Sequence, residues 1–317
     1  MLRRFITNAL ILFGSFAALY MLAFWLLCKV EVGGTPLIYR CGDALNWKGG
    51  NSYRKFQDFD PGKRYDVVFI GSSHAYRGYD PGIFKRHGYE SFNLGTSAQS
   101  PLNSFAILEH YLTKENTGLI LLDTYEAALE MDGLESTADL SQNISSDAAA
   151  VDMALALRDP RGVNMLLLRW MRRDAPVMFT DSSYLPGGSS LNTDSVHGTI
   201  HYVTGKPLMM QARQQRYLRS FLTWCKKRGI PVVLVGHPYP KQADRKKHEQ
   251  FEAWLREEVK SFGYPLYDFA FDHGLPLDDR DNFYDHNHLN RAGVEIFNPI
   301  LIDQLERDGL LEKNSGD

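Results

Sequence analysis

The chain has 317 residues, with 35 Lys and Arg against 38 Asp and Glu and a net charge of −3, a balance that argues against a nucleic-acid surface. Its three cysteines, Cys28, Cys41 and Cys225, are too few and too scattered for a disulfide framework or a zinc site. A Cys41–Cys225 bridge stays open for a domain outside the cytoplasm.

The first element is an apolar run. From Phe5 to Cys28 there is no charged residue. As a helix this run is about 36 Å long, enough to cross a hydrocarbon core of about 30 Å. A cleaved signal peptide has a shorter apolar region and a small-residue cleavage site. This run is longer and ends in Trp25-Leu26-Leu27-Cys28-Lys29 without such a site. Residues 1–30 are therefore expected to form an uncleaved N-terminal transmembrane anchor. Arg3 and Arg4 precede the span, which predicts a cytoplasmic N-terminus and an extracytoplasmic (periplasmic or cell-surface) remainder.

Residues 31–62 are rich in Gly and polar side chains and read as a membrane-proximal linker or arm. Residues 63–317 are enough for one α/β domain with a full core. Short aliphatic runs bounded by Gly, Pro, Asn or Asp predict buried strands at 66–70, 91–94, 118–122, 231–235 and 265–268. Helical patterns lie between and after them, over 101–114, 208–227, 246–262 and 290–307. This alternation predicts a three-layer α/β sandwich with about five parallel strands covered on both faces. The stretch 126–207 breaks the rhythm, with a helical pattern at 164–173 and a Gly/Ser loop at 185–190. It reads as an insertion over the carboxyl edge of the sheet, where open α/β sheets bind ligands.

Two motifs carry chemistry. Gly71-Ser72-Ser73-His74 directly follows the 66–70 strand, and Asp285-His286-Asn287-His288 precedes the last helix. A serine at that strand end can face a crevice, with the following amides aimed at developing negative charge. It is also a common helix cap. Asp285 and His288, three residues apart, can share one face, so the carboxylate can hold the imidazole in one tautomer while the imidazole takes the serine proton. The same residues leave two rivals open: a metal site built on Asp285, His286 and His288 with Asp281 nearby, and a plain polar turn.

Taken together, the blocks resemble the SGNH (GDSL-like) hydrolases over roughly residues 65–305. Gly71-Ser72-Ser73 resembles the nucleophile block, with Ser72 in place of Asp; Asn93-Leu94-Gly95 resembles the glycine block; Asp285 and His288 resemble the final Asp-x-x-His block. The resemblance implies an SGNH/flavodoxin-like fold and a Ser73–His288–Asp285 triad. It also implies an oxyanion hole from the amides of Ser73 and Gly95, with no metal or cofactor. The third block, Gly-x-Asn-Asp, is not matched: Asp123-Thr124-Tyr125-Glu126 stands there. A further donor would have to come from a residue such as Ser97, Gln99 or Asn103.

His74 and His237 are expected either to support the triad or to touch substrate, and Arg77 and Tyr79 to grip an anionic or sugar substrate. An anchored domain of this kind is similar in layout to the teichoic-acid D-alanylation protein and to the alginate and peptidoglycan O-acetylation proteins. That likeness implies an acyl-ester substrate, a cell-envelope polysaccharide and a membrane-bound O-acyltransferase as partner. The expected function is a membrane-anchored serine esterase or O-acyltransferase. The rival is a non-catalytic SGNH-fold partner or polymer-binding protein.

Overall fold

A computed structural model describes residues 1–41, 46–196, 200, 202, 204–271 and 274–312. Five strands, β1 (Tyr65–Ile70), β2 (Ser91–Asn93), β3 (Thr117–Thr124), β4 (Val232–Gly236) and β5 (Leu266–Asp268), form one sheet in the order β2-β1-β3-β4-β5. Every neighbouring pair is parallel, with Phe69 opposite Asn93 on one side and Leu121 on the other. The chain leaves β1 for β2 on one flank and then crosses to β3 on the other. The carboxyl end of β1 is thus a switch point, where a crevice opens.

The helices are α1 (Leu2–Lys29), α2 (Gly50–Asp58), α3 (Ser73–Gly78), α4 (Pro81–Arg86), α5 (Pro101–Tyr111), α6 (Glu126–Glu130), α7 (Leu134–Asn143), α8 (Asp147–Ala156), α9 (Pro160–Met171), α10 (Ala212–Arg228), α11 (Arg245–Lys260) and α12 (Arg291–Arg307). Alternation along the strands sends Val68, Ile70, Ile120, Leu122, Val232 and Leu234 to one face, which α5, α10 and α11 cover. Val67, Phe69, Leu119, Leu121, Val233 and Val235 point the other way and pack under α3, α4 and α12. The expected three-layer α/β sandwich, led by one apolar N-terminal helix, is the architecture observed.

The details differ in three places. The polar stretch 31–62 carries a two-stranded hairpin, a 3-10 turn at Leu37–Arg40, and α2. Phe56 of α2 and Phe59 just after it are buried in a cluster of rings with Tyr65, Phe92 and Tyr111. The second difference lies in 126–207. Helices α7, α8 and α9 lie beside the sheet, packed on α2, α5 and α1, rather than over its carboxyl edge. The 185–190 loop does reach that edge: Asn93 N–H donates to the Gly187 carbonyl at 2.7 Å, and Ser190 N–H to that of Tyr76 at 2.9 Å. Gly188 is required there, since a Cβ would stand 2.3 Å from the Asn93 carbonyl oxygen.

Thirdly, no Cys41–Cys225 bridge forms. Cys225 is buried in the core on α10, whereas Cys41 is exposed.

Leu234 sits at the centre of the sheet with no exposure. Leu234→Ala is expected to lower unfolding free energy by about 2–5 kcal/mol. Urea titration checks this, and a loss near zero would contradict the packing described.

Candidate active site

The nucleophile candidate is held by a short helix. β1 is followed by Gly71, where a Cβ would stand 2.7 Å from that of Asp123, so only glycine lets the chain turn this close to β3. Ser72 caps α3, its Oγ accepting from His74 N–H at 3.4 Å. Ser73 is then the first residue of α3, and its backbone N–H is one of those that a helix start leaves without an intrahelical acceptor.

His288 arrives from the far end of the chain, 215 residues away, and its Nε2 lies 2.7 Å from Ser73 Oγ. Its Nδ1 lies 2.8 Å from Asp285 Oδ2 and 3.0 Å from Oδ1. With the Nδ1 proton donated to Asp285, Nε2 is the acceptor for the Ser73 hydroxyl. Burial alone would raise the Asp285 carboxyl, but the hydrogen bonds from His288 and from the Asn287 and His288 amides outweigh it and hold the group at about 2. Burial lowers His288 below the usual 6.5, against the pull of Asp285. The imidazole is therefore neutral, and able to accept a proton, at neutral pH. Asp285 and His288 are committed to each other and to Ser73, while His286 points to solvent. That arrangement is not the convergent ligand set which the metal alternative needs.

Several expected residues are placed elsewhere or otherwise engaged. Gly95 N–H donates to Asn93 Oδ1 at 3.0 Å, so in this arrangement it is not a free oxyanion donor. The buried Asn103 side chain is used within the core. Its Oδ1 accepts from Ser100, and its Nδ2 donates to Thr137 Oγ1 at 2.8 Å. Gln99 is likewise spent between Thr96 and Ser104. Tyr79 is fully buried and donates to Asp123 Oδ2 at 2.8 Å, which removes it from any substrate contact.

His74 and His237 are fully buried and stacked, with ring centroids 4.8 Å apart, and His74 meets the His288 ring edge-on at 5.1 Å. They underlie the triad and cannot touch substrate. Burial, reinforced by the neighbouring imidazoles, pushes His74 well below the usual histidine range and His237 to about 3, so both rings are neutral.

Other side chains at the site escaped sequence reasoning. Tyr284 stacks on His288 at 5.4 Å and 14°, and the Arg77 guanidinium lies 5.0 Å over the Tyr284 and Tyr76 rings. Arg77 thus stands near the triad with its guanidinium laid over tyrosine rings. Asn287 Nδ2 donates to Tyr125 Oη at 3.1 Å. Tyr125, Glu126, Tyr239, Lys206, Lys247 and His286 help line an open cavity of about 390 Å³ on the flank of the Asp285–His288 loop. The only sequence signal for Tyr284 was its place next to Asp285.

No protein-family model matches the chain, and no curated protein matches it. Solved structures do resemble it. A candidate acylhydrolase from Bacteroides fragilis superposes with a TM-score of 0.44 at 14% identity, covering 85% of this chain and 100% of that one. The lipase/acylhydrolase from Enterococcus faecalis gives 0.41 at 11%, covering 79% and 98%. A GDSL-like lipase from Bacteroides thetaiotaomicron gives 0.40 at 12%, covering 76% and 88%.

In the observed geometry Ser73 Oγ meets a neutral His288, so any hydrolysis through this pair is expected at neutral pH and is expected to be lost as pH falls. A pH profile of p-nitrophenyl acetate hydrolysis is expected to show an acid limb with its midpoint below 6.5, because burial depresses His288. A midpoint above that value would contradict the assignment.

Proposed function

We propose that the chain is a serine esterase or O-acyltransferase, held to a membrane by α1. The observation that carries the reading is the unbroken line Asp285–His288–Ser73, with bonds of 2.8 and 2.7 Å and a partly exposed serine at a sheet switch point. In this mechanism His288 Nε2 takes the Ser73 proton as Oγ attacks an ester carbonyl. Asp285 steadies the imidazolium that forms. Negative charge on the carbonyl oxygen is met by the Ser73 N–H. His288 returns the proton to the departing alkoxide, and water or a second hydroxyl then resolves the acyl-enzyme.

The anchor reading is supported by the composition of α1. Its best window has a mean hydropathy of 2.2 and is only 6% buried. The envelope-polysaccharide substrate is supported by the open cavity, whose tyrosines and lysines suit a polar, hydroxyl-rich acceptor better than a free acyl chain. A membrane-bound O-acyltransferase partner belongs to the same reading and would supply the acyl group. One observation favours the non-catalytic rival: the Gly95 amide is engaged by Asn93, leaving a sparse oxyanion hole.

Kinetics on the purified chain separate these readings. Ser73→Ala and Asp285→Asn are each expected to lower kcat for a small aryl acetate by at least about 10⁴-fold. If both variants matched the wild-type rate, the triad reading would be lost. Faster aryl-alcohol release on adding a glycan hydroxyl, with acylated glycan as product, marks transfer over hydrolysis.

A further inference from the structure

Helices α1 and α9 run side by side in the same direction. Tyr20 Oη donates to Asn164 Oδ1 at 2.5 Å, Phe24 and Leu168 are buried in one cluster, and Arg172 Nη1 donates to the Cys28 carbonyl at 3.3 Å. Each contact is one turn beyond the last on both helices, which fixes the height of the domain along α1. Asn164 is level with Tyr20, so Val163 is level with Leu19 and Pro160 with Phe16. Helix α8 meets α9 at the same end, since a Cβ on Gly162 would stand 2.5 Å from the Ala154 carbonyl oxygen. The turn between α8 and α9 therefore lies beside the apolar run of α1, not beyond its end.

A hydrocarbon core of about 30 Å entered at Phe5 takes about 20 residues of helix and ends near Trp25. Val163 is then about 9 Å below that boundary, within the depth at which interfacial helices seat their apolar faces. The side chains match the placement. Leu155 and Val163 are 64% and 55% exposed. Trp170, 51% exposed, stands level with Leu26 and so at nearly the height of Trp25, which is 46% exposed. Two exposed tryptophans at one height mark a membrane–water interface. The polar residues of the turn are Arg158, Asp159 and Arg161. Asp159 pairs with Arg161 at 2.6 Å, and arginine stems are long enough to reach phosphate from this depth.

We infer that the α8–α9 turn is a second membrane contact, seated in the leaflet on the domain's side. Leu155 and Val163 meet acyl chains there, while Arg158 and Arg161 meet headgroup phosphates. The inference rests on the reading of α1 as a membrane span. It makes the domain a body held at fixed height on the bilayer, rather than one swinging on a tether.

The test uses the full chain in nanodiscs of phosphatidylcholine and phosphatidylglycerol. Nitroxide labels are placed at Leu155→Cys and Val163→Cys in a Cys41→Ser background, where Cys28 and Cys225 are buried. Reference labels sit at Phe13→Cys in the span and Glu257→Cys on the exposed far helix. The expected result is an oxygen-over-nickel collision ratio at Leu155 and Val163 shifted from the Glu257 value towards that of Phe13. Ratios equal to Glu257, with Phe13 still in lipid, would overturn the inference and leave the span intact. A solvated Phe13 would overturn the span, and the inference with it.

Discussion

Two buried asparagines, Asn93 and Asn298, hold the short helix that carries Ser73, and the rest of the site depends on them. α3 has six residues, too short to persist without outside support; at its end the Ala75 carbonyl takes the Tyr79 N–H, and the Gly78 carbonyl has no donor within the helix. Asn93, at the end of β2, donates to the Ala75 and Tyr79 carbonyls at 2.8 and 2.9 Å and accepts from Gly95 N–H. Asn298, on α12, donates to the Gly78 carbonyl at 2.7 Å and accepts from Asp80 N–H at 2.8 Å. A buried backbone group left without its partner costs about 1–3 kcal/mol, so the helix has one stable seat. α12 also continues directly from the Asp285–His288 loop. Asn290 caps its start and ties back to the Asp281 and Asp194 carbonyls. The amide that seats Ser73 thus also fixes the helix that delivers His288.

The electrostatics around the triad are divided in the same orderly way. On one side of His288 lie the neutral rings of His74 and His237, which have no charge with which to compete for Asp285. Asp285 keeps its negative charge because three N–H groups point at it. A separate charged cluster lies across the sheet edge, where His248 stands between Glu126 at 3.3 Å and Asp268 at 3.2 Å. Burial would lower that imidazole, but the two carboxylates raise it to about 9. This imidazolium ties α11 to the ends of β3 and β5 and does not touch Ser73 or His288. Lys55 of α2 is buried without exposure and donates to the Gly95 carbonyl, so the polar arm after α1 reaches the loop behind the serine.

Much of this was legible from the chain alone. The three central strands announced themselves because a strand buried on both faces must be continuously apolar and must end at a breaker, as Val67 to Gly71 does; the short flanking strands, Ser91–Asn93 and Leu266–Asp268, carry polar residues and were marked chiefly by their place in the alternation. Ser73, His288 and Asp285 were legible because their chemistry needs those residue types at a strand end and at a spacing of three. What stayed hidden depends on which partner each polar group takes once the chain is folded. Lys55 reads as a surface charge until Gly95 is brought to it. Asn103 has the chemistry of an oxyanion donor, yet Thr137 and Ser100 claim it. Gly95 has a free amide on paper, yet Asn93 takes it. Helices α7 and α8 bury Ser136, Thr137, Ser141 and several alanines, so the stretch lacks the apolar stripe that marks a helix.

The proposed esterase or transferase chemistry requires Ser73 to be an activated nucleophile. The direct measurement is to treat the folded chain with a fluorophosphonate and locate the adduct by peptide mass spectrometry. One adduct is expected, on Ser73, absent from His288→Ala although that variant keeps the hydroxyl. A folded wild type without an adduct on Ser73, or equal labelling in His288→Ala, would contradict it.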